Sequence, residues 1–117
     1  MTVITLPYPP SVNHYYRRVG PRTLISRAGR RYRERVVAAL AALKVPTMDG
    51  RLHLEIEFYP PDRRRRDIDN VQKALLDALQ HGGLYEDDSQ VVELRARKCD
   101  PLPNGAVFVY VEAASGD

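Results

Sequence analysis

The chain has 117 residues, 44% of them hydrophobic and 28% charged, proportions that fit one soluble globular domain and exclude wholesale disorder or a fibrous repeat. The net charge of +3 is unevenly distributed: residues 1–66 carry 14 Lys/Arg against 5 Asp/Glu (+9), and residues 67–117 carry 4 against 10 (−6). Of the 18 basic residues 15 are arginine, whose planar fork grips phosphate at two points, so charge leaves nucleic acid or an arginine-rich solvated surface as the readings.

Val3, Ile4 and Leu6 predict a short opening strand that ends at Pro7, and the prolines of PYPPSVN predict a loop. HYYRRVGPRTLIS has aromatic and β-branched residues around Gly20-Pro21, which suits two short strands joined by a turn, or an ordered loop. Ser26 is a candidate N-cap for a helix running to about Lys44, with Tyr32, Val36, Leu40 and Leu43 as its apolar stripe. Arg30, Arg31, Arg33 and Arg35 fall on the rest of its surface. Leu52, Leu54, Ile56 and Phe58 then alternate with His53, Glu55, Glu57 and Tyr59, the pattern of a half-buried strand. Pro60-Pro61 and the charged run DRRRR predict a loop, which feeds a second helix from about Asp67 to His81. Its apolar set is Ile68, Val71, Leu75, Ala78 and Leu79, and Gly82-Gly83 supplies a stop. LYEDDSQ is an acidic turn, Val92, Leu94 and Ala96 mark another strand, and Ala106–Glu112 the last. The expectation is a single α+β domain over 1–117, with a mixed or mostly antiparallel sheet and two main helices on one face.

The single Cys99 cannot form an internal disulfide, and with His14, His53 and His81 scattered it makes no zinc spacing. No apolar run approaches the roughly 18 residues of a membrane span, and MTVITLPYPP reads as a strand rather than a signal peptide. The expected location is therefore the cytoplasm.

Chemistry concentrates at the entry to the second helix. Two aspartates inside a helix and two residues apart would point about 200° away from each other. If Asp67 instead sits at the extended cap position, its carboxylate and that of Asp69 can meet at the helix entrance, an oxygen-only pair of the kind Mg²⁺ accepts. Capping and the helix dipole explain either Asp alone; for both, directly after four arginines, capping and metal binding stand as alternatives. Asp87 or Asp88 could complete a site only if the acidic turn returns beside the helix. Lys73 is four residues after Asp69, placed either for an i,i+4 ion pair or for a phosphodiester's developing charge. Arg63, Arg64, Arg65 and Arg66 abut the acidic pair, joining the cations a phosphate backbone needs to the anions a metal needs. Tyr15, Tyr16, Arg17 and Arg18 form a second candidate DNA contact.

RRRRDIDNVQKALLDAL, YEDDSQVV and PYPPSVNHYYR together resemble the RusA family of Holliday junction resolvases, over nearly the whole chain. The resemblance implies a homodimer that binds four-way DNA junctions by shape and makes paired symmetrical nicks with Mg²⁺, in recombination and repair. It also implies that Asp67, Asp69 and Asp88 are metal-holding catalytic carboxylates, Lys73 a catalytic lysine and Arg66 a DNA contact. The remaining DNA-binding candidates are Arg63, Arg64, Arg65, Tyr16 and Arg17. A non-catalytic branched-DNA or single-stranded-DNA binder is the alternative.

Overall fold

The computed structural model describes residues 1–114. Its elements are β1 (Thr2–Leu6), α1 (Val12–Tyr15), β2 (Tyr16–Val19), β3 (Arg22–Ile25), α2 (Arg27–Ala42), β4 (Leu52–Tyr59), α3 (Ile68–His81), a 3-10 turn at Asp88–Gln90, β5 (Val91–Lys98) and β6 (Ala106–Ala113). Four strands form one sheet in the order β1-β6-β4-β5, while β2 and β3 pair as a separate hairpin. The sheet is mixed: β6 runs antiparallel to both β1 and β4, but β5 runs parallel to β4. Parallel neighbours require a crossover, and α3 provides it. The loop before α3 thus lies at the carboxyl end of β4, the side on which crossover units commonly place ligands.

The core follows from strand alternation. Leu52, Leu54, Ile56 and Phe58 of β4 are all at most 2% exposed, as are Ile4, Leu6, Val107, Val109 and Val111 on the neighbouring strands. Against them pack Tyr32, Val36 and Leu40 of α2 and Val71, Ala74, Leu75, Ala78 and Leu79 of α3, spaced at three and four residues as a helical stripe requires. The two helices end where expected. Ser26 caps α2 by accepting from the Gly29 N–H at 2.9 Å, and α3 stops at Gly82, with Gly83 at φ 88° turning the chain out of the helix. Among the described residues no helix is long and apolar enough to cross a membrane.

Three local expectations are corrected. Part of the predicted loop PYPPSVN folds, because Val12–Tyr15 form one helical turn closed by Tyr15 N–H to Ser11 O at 2.8 Å. Glu57, on the polar side of β4 by alternation, is only 8% exposed. Arg97, Tyr110 and Tyr59 donate to its carboxylate, and Arg97 holds it below the usual carboxylate range. Arg33 is not a surface charge. It is half-buried and pairs with Asp77 at 2.7 Å.

The N-terminal segment reaches the rest of the domain through a close contact between α1 and α2. A Cβ added at Gly29 would lie 2.3 Å from the Tyr15 carbonyl oxygen and 2.6 Å from the Ile25 side chain, so this position needs the smallest residue. Alanine is intrinsically the better helix former by about 1 kcal/mol, yet overpacking against backbone costs more. Gly29→Ala is expected to lower stability by about 1–3 kcal/mol net in urea denaturation; an unchanged or raised stability would mean that α1 does not press on α2.

Candidate active site

Asp67 is the N-cap residue of α3 with extended backbone, φ −96° and ψ 137°, which is the condition for projecting toward the same side as Asp69 in the first turn. Its side chain makes no cap hydrogen bond, and both carboxylates are exposed. Capping therefore does not occupy Asp67, and the oxygens of this pair remain available to a ligand. Lys73 likewise forms no ion pair with Asp69 among the described residues; its Nζ lies instead 5.7 Å from the centre of the Tyr16 ring. A cation over an aromatic face is directed by the ring without pairing with the aspartate one turn away.

Asp69, Lys73, Asp77 and Gln80 succeed one another at steps of four, four and three residues, forming one outward ridge on α3 opposite its buried stripe. Asp77 anchors the ridge. Its carboxylate accepts from the Tyr15 hydroxyl and from Arg33 Nε and Nη2 at 3.1 and 2.7 Å, while Arg33 Nε also reaches the Tyr15 oxygen at 2.9 Å. Burial, reinforced by the bond to Asp77, pushes the Tyr15 hydroxyl well above its ordinary pKa, so it stays a donor. The adjacent Tyr16 ring, edge-on to Tyr15 with centroids 4.8 Å apart, is thereby set under Lys73. Composition conceals this node, but Asp77 is four residues beyond Lys73, the spacing that would have flagged it.

The acidic turn comes back to the other end of α3. Asp88 N–H donates to Gln80 Oε1 at 2.9 Å, and Gln90 pins the turn by donating from Nε2 to Met48 O and Gly50 O at 3.1 and 2.8 Å. The two neighbouring aspartates differ in what they do. Asp87 caps the 3-10 turn, accepting from Ser89 N–H at 2.8 Å, and that backbone bond holds its carboxyl below the ordinary range. Asp88 is exposed and has no such duty. The helix rise of about 1.5 Å per residue puts Gln80 about 16 Å along the axis from Asp69, and among the described residues no three acidic, histidine or cysteine side chains converge on one point. Within one chain, Asp67 and Asp69 flank Ile68 at the entry to α3, and the backbone of Asp88 is tied to Gln80 in the last turn of that helix.

The arginine run is not uniform. Asp62 accepts from Arg66 Nη1 at 2.6 Å and from the Arg64 N–H at 2.9 Å, and the Arg66 guanidinium lies 5.8 Å from the Tyr8 ring centre. Arg63, Arg64 and Arg65 are exposed, as are Arg17 and Arg18 on β2. Asp62 thus absorbs the nearest positive charge, so the run does not collapse onto Asp67 and Asp69. Arg66 first, and then the Arg64 N–H, hold the Asp62 carboxyl down at about 2. A carboxyl lowered in the fold stabilises it above the unfolded value near 3.8, and that contribution is lost as pH falls through about 2. NMR of the Asp62 carboxyl carbon is expected to give a midpoint near 2, moving toward 3.8 in Arg66→Ala. A wild-type midpoint already at the unfolded value would mean that Arg66 is not tied there.

Comparison with known proteins bears on the whole arrangement. The family model described as endodeoxyribonuclease RusA matches residues 7–112. The chain is 47% identical over 109 residues to the crossover junction endodeoxyribonuclease RusA of Shigella sonnei (strain Ss046), covering 92% of this chain and 91% of that protein. It is 46% identical over 109 residues to the protein of the same name from Escherichia coli (strain K12), with the same coverage. To that of Enterobacteria phage HK97 it is 40% identical over 107 residues, covering 91% of this chain and 89% of the relative. The matched span takes in the proline-rich segment, the arginine run, the α3 ridge and the acidic turn, and this chain belongs to the RusA family of endodeoxyribonucleases.

Proposed function

We propose that this protein is a structure-specific DNA endonuclease that resolves four-way junctions by paired nicks in recombination and repair, hydrolysing phosphodiesters with Mg²⁺. The observation that carries this reading is the pair of exposed, uncommitted carboxylates at Asp67 and Asp69 beside an arginine run whose nearest charge is already taken by Asp62. The names of the relatives agree with it.

Hard carboxylate oxygens suit a divalent cation such as Mg²⁺. Asp67 and Asp69 would hold it, with Asp88 as the third carboxylate. When bound, the ion supplies concentrated positive charge beside the phosphate and a more acidic water. Lys73, placed over Tyr16 and unpaired with Asp69 among the described residues, is available to the oxygen that leaves as the phosphorus–oxygen bond breaks. Arg63, Arg64, Arg65 and Arg66 hold the backbone by charge, and Arg17 and Tyr16 on the hairpin extend the contact.

Because no three acidic, histidine or cysteine side chains converge among the described residues, a site with all three carboxylates would be assembled by a second copy of the chain or by movement of the acidic turn. A homodimer answers this and also the substrate, since a junction is resolved by cutting two strands related by an approximate two-fold axis. In its support, the sheet face bearing Tyr59, Phe108 and Tyr110 is not the one the helices cover, and Val3 is 50% exposed.

Nicking of a synthetic four-way junction by single variants tests the assignment. Asp67→Asn, Asp69→Asn and Asp88→Asn are each expected to abolish nicking while retaining junction binding, and Lys73→Ala to slow it by about 10²–10³-fold. Wild-type rates in any one of these variants would remove that residue from the mechanism, and binding without nicking by the wild type under every divalent metal would leave a non-catalytic junction binder.

A further inference from the structure

Nothing in the chemistry above uses Arg31, Arg35 or the proline-rich segment Tyr8–Ser11, yet together they line a groove of about 740 Å³ that also reaches Asp67. The apolar part of its lining, its floor, is Tyr8, Pro9, Pro10 and Tyr32. The floor is also fixed in place. Tyr32 is 3% exposed and donates to Pro7 O at 2.7 Å, and the Tyr8 ring contacts the Arg66 guanidinium and meets the Phe58 ring near perpendicular, with centroids 6.3 Å apart.

Two elements contribute cations to the lining. Arg31 and Arg35, one helical turn apart on α2, line the groove together with Arg64–Arg66 of the loop before α3. Arg31, Arg35 and Arg65 have no ion pair among the described residues. Asn13 and Asn70 also line it, and side-chain amides of this kind read base edges through paired hydrogen bonds.

A duplex backbone lying on a surface needs cations and no apolar floor. A base needs the floor. The volume lies inside the range of about 300–1,000 Å³ that encloses small organic ligands, which suits a nucleoside with its flanking phosphates rather than a duplex arm. Branched DNA supplies such a nucleotide at low cost, because bases at a strand exchange are more easily unstacked than those in continuous duplex.

We propose that this groove takes one unpaired nucleotide of the DNA substrate, its base on the Tyr8–Pro10 floor and its flanking phosphates between Arg31, Arg35 and Arg65. The strand is thereby led toward Asp67 and Asp69, and the choice of cutting position is made partly by which base enters. The inference rests on the endonuclease reading and extends it.

Two substitutions, one in the protein and one in the DNA, test it together. Ala28 lines the groove from the exposed first turn of α2, so Ala28→Phe fills the space without entering the core. Four-way junctions are made with a single abasic nucleotide stepped through the positions around the nick, and cleavage is followed in Mg²⁺ with both proteins. With wild type, one abasic position should slow nicking by roughly tenfold, the scale of one lost base-stacking contact. Ala28→Phe should slow the intact junction similarly, and the two losses should not multiply, since both remove the same contact. A junction carrying 2-aminopurine at that position should brighten on binding wild type in Ca²⁺ and not on binding Ala28→Phe. Equal cleavage of every abasic junction by wild type, fully multiplicative losses, or 2-aminopurine that stays quenched throughout would overturn the base site while leaving the endonuclease reading intact. Failure of the wild type to nick any intact junction would overturn both.

Discussion

Three helices meet at the Asp77 carboxylate. Tyr15 from α1 and Arg33 from α2 both donate to it, and Arg33 also reaches the tyrosine oxygen, closing a three-membered polar node at the edge of the core. Each partner needs the other two. A partly buried arginine or aspartate left alone costs several times what an exposed pair returns, so removing one member leaves a penalty rather than a mere loss of attraction. The node holds the N-terminal segment against α3, and through Tyr16 it sets the ring over which Lys73 lies. The ridge of α3 is therefore oriented from outside the helix, by residues some sixty positions earlier in the chain.

Charge is apportioned with similar economy in the run DRRRRDID. Neighbouring arginines and aspartates would ordinarily neutralise one another, and such exposed pairs contribute little to stability. Here the first aspartate, Asp62, takes Arg66 and the Arg64 backbone. What that pairing does is positional: Arg66 is turned toward Tyr8, and Asp67 and Asp69 keep their oxygens. The same division recurs in the acidic turn, where Asp87 is spent on its Ser89 cap and Asp88 is left exposed. In each place one carboxylate performs a structural duty that releases its neighbour for another.

Much of this was legible in the residues. Periodicity placed α2, α3 and β4, because a buried stripe at steps of three and four, or a strict alternation, admits few other conformations. The Asp-Ile-Asp spacing left an extended cap at Asp67 as one of two conformations, and the fold takes it. What was not legible depends on contacts distant in sequence. Alternation put Glu57 on the wet side of β4, and only the fold brings Arg97 and Tyr110 over it. Composition spread Arg33 over a helix surface, and nothing local says that Tyr15 and Asp77 await it. The parallel pairing of β5 with β4 also escapes strand patterns, which are alike for either direction. The segment PYPPSVN read as a loop because prolines end strands, yet the same rigidity suits Tyr8–Ser11 to lining a groove.

On the function proposed, these carboxylates and arginines cut DNA at branch points with a divalent ion. The most direct measurement is a single gel comparing a synthetic four-way junction, a fork, a flap and linear duplex of matched sequence, each incubated with the wild-type protein in Mg²⁺ or in chelator. The account predicts paired nicks at the branch of the four-way junction in Mg²⁺ alone, with the linear duplex bound but uncut. Equal cutting of linear duplex, or nicking that persists in chelator, would contradict it.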